Sequence, residues 1–350
     1  MDKIAIVIDG ISNSGGTDRV AANVSNMFVE YGFDVTLYSL SLGEPYYRIS
    51  DKVDIAQFTH YPRIYNLVKV AYSIKKGNFK HTIVVSMGRL STQLIPLLRI
   101  ILNDTTIVCS DHVSIESFPV YIRMLKYLAY KLSDNLVVLT EHDKFFLRKV
   151  FKKKPINVIR NQSPFSEVDC DKSLSRISRA NEKIIIAVGR LTAQKNFSKL
   201  LDIWSKANVD NWELYIIGDG EEKDELIQKV EDNNLNNAHI ISATKDLQSW
   251  YQRASLLLMT SKYEGLPMVL IEAKSFGLPV IAFDCKTGPR EIISDDGILV
   301  ESDNEQDFIL HLNELTLNHN KRLTMSSNAF RNAHKYSKEY IFKQWSKVIK

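Results

Sequence analysis

The sequence predicts an α/β protein made of two doubly wound, Rossmann-like domains. Short runs rich in Val and Ile recur along the chain, as in "KIAIVID" and "IIIAVG". They show little polar–apolar alternation, which suits parallel strands buried on both faces. Helical periods separate them. The chain has 350 residues, too long for one comfortable core and suited to two domains of about 150–180 residues each. The strand–helix alternation also stops at a polar segment and then restarts.

In the first half (residues 1–165) the candidate strands are Lys3–Asp9, Asp34–Leu40, Thr82–Met87, Thr105–Ser110, Asn135–Thr140 and Ile156–Arg160. Between the first two, Val20, Val24, Met27, Phe28 and Tyr31 recur at helical spacing. Gly32 follows as the residue that closes that helix. The segment 166–182, "SEVDCDKSLSRISRANE", is polar, has no apolar stripe and reads as a linker. The second domain (183–336) has candidate strands Ile184–Gly189, Glu213–Gly218, His239–Ser242, Ser255–Thr260, Pro279–Asp284 and Ile298–Val300. A last helix within 337–350 carries Ile341, Phe342, Trp345, Val348 and Ile349 on one stripe, so it packs on something. Two such domains facing a cleft is the expected architecture.

Composition excludes several classes. The chain is 45% hydrophobic and 25% charged, ordinary for a soluble globular protein. Cys109, Cys170 and Cys285 are far apart and form neither a disulfide framework nor a metal-ligand spacing. The start, "MDKIAIVIDG", is too short in apolar residues for a signal peptide. The best apolar run, "LIPLLRIIL", is broken by Arg99 and is too short to span a bilayer. A cytoplasmic location is expected, peripheral on the inner face of the cell membrane if the surface charge acts there. That charge is uneven. Through Phe165 there are 21 Lys and Arg against 14 Asp and Glu, a net of +7; the remainder has 24 against 27, a net of −3. The basic half mixes cations with aromatics, as in "YIRMLKYLAYK" and "KFFLRKVFKKKP". That mixture suits an anionic membrane surface, or a merely solvated positive face. No nucleic-acid-binding module is present, and no nucleic-acid partner is expected.

Ligands of doubly wound sheets bind beyond the carboxyl ends of the strands, and four such ends stand out. At the first, Gly15-Gly16 follows a strand and opens a helix. Two glycines there let backbone N–H groups approach a phosphate, or simply make a turn. At the second, His112 follows a strand and can donate to a sugar hydroxyl or serve as a structural hydrogen-bonding residue. At the third, Arg190 and Lys195 lie just past Ile184–Gly189, where two cations can clamp a diphosphate. The fourth is "SKYEGLPMVLIEAKSFGLPV". Glu264, Gly265 and Leu266 form a loop, Pro267 suits the first turn of a helix, and Gly277 follows the helix end. Glu272 lies inside the helix. Buried carboxylates are costly without partners, so both acids are expected to be satisfied by the hydroxyls of a ligand.

These residues resemble glycosyltransferase family 4, the retaining nucleotide-sugar transferases of GT-B fold. "YEGLPMVLIEA" is similar to the family's E-x7-E motif, "SGGTDRV" to its glycine loop and "VGRLTAQKNF" to its Arg…Lys segment. "GPREII" resembles its following loop and "YSKEYIFKQWSKVI" its closing helix, which crosses back to the first domain. The resemblance spans nearly the whole chain and implies roles. Arg190 and Lys195 hold the diphosphate, with backbone N–H groups near Gly15, Gly16, Gly265, Leu266, Pro267 and Met268 completing the cradle. Glu272 binds the ribose, Glu264 contacts the donor sugar near the reacting carbon, and His112 faces sugar and acceptor. The implied reaction moves a hexose or N-acetylhexosamine with retention from a nucleotide sugar, UDP-linked before GDP-linked, to a glycan acceptor. "DCKTGPREII" resembles members that act on lipid-linked oligosaccharides and surface polysaccharides. No cofactor and no metal are implied. Asp169-Cys170-Asp171 has the Asp-x-Asp form of metal-dependent transferases but falls in the linker.

Four other readings compete. A nicotinamide-dependent oxidoreductase needs a G-x-G-x-x-G fingerprint, which "DGISNSGG" lacks. A glycoside hydrolase can use two carboxylates but has no need of Arg190 and Lys195. A sugar-nucleotide epimerase shares the GT-B fold and needs no acceptor. A non-enzymatic sugar-binding protein normally needs export.

Overall fold

The computed structural model describes residues 2–13, 15–59, 62–102, 104–165 and 183–349. The linker segment, with Cys170 and the Asp169-Cys170-Asp171 triplet, lies outside the described residues. The chain divides into two compact units, Met1–Gln162 with Lys338–Lys350, and Ser163–Ser337.

The first unit is built on seven strands: β1 (Lys3–Ile8), β2 (Asp34–Ser39), β3 (Asp54–Gln57), β4 (His81–Ser86), β5 (Thr106–Asp111), β6 (Asn135–Val138) and β7 (Ile156–Val158). Their order is β3-β2-β1-β4-β5-β6-β7, and each pair is parallel. All six residues of β4 are buried, as a central parallel strand requires. The unpredicted strand is β3. It lies at the sheet edge, and Asp54 and Ile55 are exposed, so its sequence carries no buried run. Helices Arg63–Gly77, Arg89–Ile101, Val120–Leu132 and Glu141–Val150 cover one face and share a core through Leu67, Leu94, Ala129 and Leu147.

Helix Gly16–Glu30 covers the other face with Val24, Met27 and Phe28 buried. Tyr31 lies just past the helix end and is more exposed than its spacing implied. It stacks on Phe342, with ring centroids 3.6 Å apart. Ile341 and Trp345 of the last helix enter the same core. That helix ends at Trp345 rather than at the terminus, and Val348 and Ile349 pack through a closing turn.

The second unit carries β8 (Ile184–Val188), β9 (Glu213–Ile217), β10 (Ala238–Ile241), β11 (Leu256–Met259), β12 (Val280–Asp284) and β13 (Gly297–Glu301). Their order is β10-β9-β8-β11-β12-β13, again parallel throughout. One face packs helices Phe197–Lys206 and Glu305–Leu317 through Leu200, Trp204, Phe308 and Leu312. Helix Met268–Ser275 is buried nearly all round; residues 270–275 are all buried. Its Lys274 is neutralised by buried Asp296, which also accepts from Ser294 N and Asn332 Nδ2, each at 3.0 Å. In each sheet the connections change direction once, between β1 and β4 and between β8 and β11. Ligand sites form beyond the strands' carboxyl ends at such points.

Candidate active site

In the second unit, three loops meet at the carboxyl ends of β8, β11 and β12. The loop after β8 is folded against the next strand's loop without room for side chains. A Cβ on Gly218 would lie 1.8 Å from Gly189 O, and one on Gly220 would lie 2.2 Å from Leu191 O. Leu191 N donates to Asp219 O at 3.0 Å and fixes the approach. The same loop is tied forward to the loop after β11. Lys262 N donates to Gln194 O, Gln194 Nε2 donates to Tyr263 O (both 2.9 Å), and Thr260 Oγ1 donates to Asn196 O at 3.1 Å. The loop after β12 closes the set. Thr287 Oγ1 donates to Glu264 O. Gly288, at φ +90°, sits where a Cβ would be 2.7 Å from Pro267 and 2.8 Å from Gly265 O. That close approach, in a left-handed backbone, calls for glycine.

This scaffold brings Lys195 and Glu264 together across 69 residues of sequence. Lys195 Nζ is 2.6 Å from Glu264 Oε1, and the two side chains are only 17% and 9% exposed. The Lys195 stem lies over Gly189. Arg190 is on the same loop but exposed, and among the described residues it makes no hydrogen bond or ion pair. Nearby Cys285 is no nucleophile: burial first, and the Glu264 carboxylate second, push its thiol up to about 12. Arg290, in the short helix Pro289–Ile292 after β12, is exposed and pairs with Asp284.

Helix Met268–Ser275 starts directly after this junction. Pro267 is its N-cap, one residue outside the helix rather than in its first turn. No side chain caps the start, so the first N–H groups are left for another acceptor. Glu272, one turn in, is 2% exposed and accepts from Tyr251 Oη at 2.7 Å. Tyr251 is held by stacking on Phe276, with centroids 5.4 Å apart and planes 4° apart. Both acids have partners within the protein: Glu264 is paired with Lys195, and Glu272 accepts from Tyr251.

In the first unit, Gly15 caps helix Gly16–Glu30 in extended conformation with no side-chain capping bond. A Cβ on Gly16 would meet nothing within 4 Å, so the space over this loop is open. His112 follows β5. Its Nε2 is 3.0 Å from Ser110 Oγ, and its Nδ1 is buried without a hydrogen-bond partner. Beside it, Asp111 Oδ2 accepts from Lys126 Nζ at 2.7 Å and from the Tyr130 hydroxyl. Lys126 is fully buried. It also lies over the Phe118 ring, 4.6 Å from the centroid.

Burial pushes the His112 imidazole down to about 4, so it is neutral at physiological pH. Between about pH 6.5 and 4 the unfolded chain binds a proton that the folded chain refuses, and stability falls as pH drops through that window. His112→Gln should therefore flatten the pH dependence of unfolding by about 2 kcal/mol, a figure discounted for the ring's partial exposure. Urea unfolding at pH 7 and pH 4.5 measures it. Buried His81 is also held below its ordinary value by burial, but it acts equally in both proteins. An unchanged slope would show that His112 is not held neutral.

The second unit thus assembles Arg190, Lys195, Glu264, Gly265, Leu266, Pro267, Met268 and Glu272 around one junction, while Gly15, Gly16 and His112 belong to the first. Tyr251, Thr287 and the pairing of Asp111 with Lys126 and Tyr130 escape sequence reading. The "GPREII" motif, which opens with Gly288, pointed toward that loop. Among the described residues, no cluster of three or more His, Cys, Asp or Glu is arranged to hold a metal ion, and no helix is long and apolar enough to cross a membrane.

Residues 172–332 match the family model described as glycosyl transferases group 1. The chain is 43% identical to the amylovoran biosynthesis glycosyltransferase AmsD of Erwinia amylovora, over 100% of both chains. It is 28% identical to an N-acetylgalactosamine-N,N'-diacetylbacillosaminyl-diphospho-undecaprenol 4-alpha-N-acetylgalactosaminyltransferase of Campylobacter jejuni, over 35% of this chain and 34% of that one. HepE of Anabaena, solved in complex with UDP, superposes with a TM-score of 0.80 at 16% identity, covering 100% of this chain and 99% of that one. The fold is that of the GT-B proteins. With a full-length relative at this identity and the family model on its second unit, the chain belongs to the glycosyl transferases group 1 family and is a glycosyltransferase.

Proposed function

We propose that the protein transfers a hexose or N-acetylhexosamine, with retention and without a metal ion, from a UDP-sugar to a lipid-linked glycan in surface-polysaccharide biosynthesis. The observation that carries the donor assignment is the junction in the second unit. One free cation (Arg190), one paired cation (Lys195) and an uncapped helix start converge on the carboxyl end of β8 and β11. Charge builds on a leaving diphosphate in the transition state, and fixed cations with a helix N-terminus can stabilise it. Glu272, aimed by Tyr251, suits a pair of ribose hydroxyls; Glu264 suits the donor sugar. Gly15, Gly16 and His112 are assigned to the first unit's part in the reaction, with His112 as a neutral hydrogen-bonding group. UDP is preferred over GDP because HepE is solved with UDP. The lipid-linked acceptor and the polysaccharide setting rest on the names of the Campylobacter and Erwinia relatives. A cytoplasmic location, peripheral to the membrane, follows from that acceptor.

A thermal-shift panel tests the donor assignment. UDP, GDP, ADP and NAD are each offered with magnesium and with chelator. UDP at about 100 times its dissociation constant should stabilise the protein by about 2.7 kcal/mol in either condition. Arg190→Ala should weaken UDP binding by about 10- to 100-fold, the loss of one charge-assisted contact. Its melting temperature without ligand should not change, because Arg190 has no partner to lose among the described residues. A shift with NAD alone, or one abolished by chelator, overturns the reading.

A further inference from the structure

Helix Val120–Leu132 is inverted. Its buried side holds Lys126, which is fully buried, together with Ala129 and Tyr130. Its outer side shows Val120, Tyr121, Met124, Leu125 and Leu128, each between 48% and 67% exposed. At 100° per residue these five span one continuous face, and exposed Lys131 falls within it. A surface helix normally presents the opposite arrangement.

The neighbouring helices repeat the theme. Helix Arg63–Gly77 exposes Ile64, Tyr65 and Tyr72 beside Lys75 and Lys76, and helix Glu141–Val150 exposes Phe145 with Lys149 over its ring. These helices cover the same sheet face through one shared core. Charge on this layer is one-sided. The four helices of this layer together carry twelve Lys and Arg against two acids, Glu141 and Asp143; of the twelve, Lys126 is buried on Asp111.

We propose that this helical layer of the first unit, centred on Tyr121, Met124, Leu125 and Leu128, docks on the surface of a bilayer containing anionic lipid. Exposed aliphatic and tyrosine side chains insert at the headgroup level, and the surrounding cations meet the lipid charge. A second copy of the chain is the wrong occupant, because two such faces would oppose like charges. The inference deepens the reading of a lipid-linked acceptor and rests on it for purpose, but its test needs neither donor nor acceptor.

The test is flotation of the full chain with vesicles of phosphatidylcholine alone and of phosphatidylcholine with phosphatidylglycerol, at low and high salt. Binding is expected to the anionic vesicles and to weaken as salt rises. The triple substitution Tyr121→Ser, Met124→Ser, Leu125→Ser should lower that binding at least 10-fold while leaving the melting temperature and the UDP shift unchanged. Because these side chains face outward, folding should survive. A parallel Lys75→Glu, Lys76→Glu variant should lose binding mainly at low salt. Absence of binding to anionic vesicles at low salt overturns the proposal, as does equal binding by the triple variant. A wild-type dimer that the triple substitution makes monomeric would show that a second copy covers the face, and that too overturns it. Loss of the UDP shift with vesicle binding intact would instead strike the donor assignment alone.

Discussion

Glu264→Gln should lower transfer by about 10²- to 10³-fold while UDP binds as tightly as before, or more tightly. The asymmetry follows from the pair with Lys195. In the free protein Lys195 donates to Glu264 at 2.6 Å, inside a pocket where the carboxylate is 9% exposed. A diphosphate that recruits Lys195 must share it with Glu264. Gln keeps the size and one acceptor oxygen but removes the competing charge, so a bound diphosphate gains a freer cation. On the proposed reading, what is lost is the negative charge beside the donor sugar, whose ring becomes cationic in an oxocarbenium-like transition state. A residue that only positioned the loop would behave differently, because the backbone carbonyl of Glu264, not its side chain, accepts from Thr287. The measurement is UDP released from the donor identified by the ligand panel, with a lipid extract as acceptor, alongside calorimetric UDP titration. Near-normal turnover in Glu264→Gln would remove Glu264 from the chemistry.

Much of the fold is legible in the sequence because its strands are buried on both faces. β1 and β8 are almost uninterrupted apolar runs, and burial on two faces is what writes such runs. β3 is silent for the converse reason: an exposed four-residue edge strand needs no buried pattern. Site loops are legible by position, since glycine, cations and acids placed after strands suggest a ligand. Their pairings are not. Lys195 meets Glu264 from 69 residues away and Tyr251 meets Glu272 from 21, and nothing in local spacing encodes either contact. The same holds for buried Lys126. Its sequence context, "YIRMLKYLAYK", reads as a basic face turned to a membrane or to solvent, yet Asp111, on the preceding strand, and the Phe118 ring draw that lysine inward and turn the apolar side chains out.

Lys195→Met should cost about 2–3 kcal/mol of stability and weaken UDP binding by about 10- to 100-fold. Methionine retains the aliphatic stem that lies over Gly189, so the change reports charge rather than packing. Its first consequence is a Glu264 carboxylate with little solvent and no cation. Breaking a fully buried pair costs more, but the Lys195 side chain is 17% exposed, and the penalty is reduced accordingly. The double variant Lys195→Met, Glu264→Gln separates the two roles of the lysine. Removing both charges should restore most of the stability, because no unpaired carboxylate remains, but it should not restore UDP binding, because the diphosphate still lacks its cation. If UDP binding returned along with stability, Lys195 would act only as a brace for Glu264, and the diphosphate would depend on Arg190 and the helix start instead.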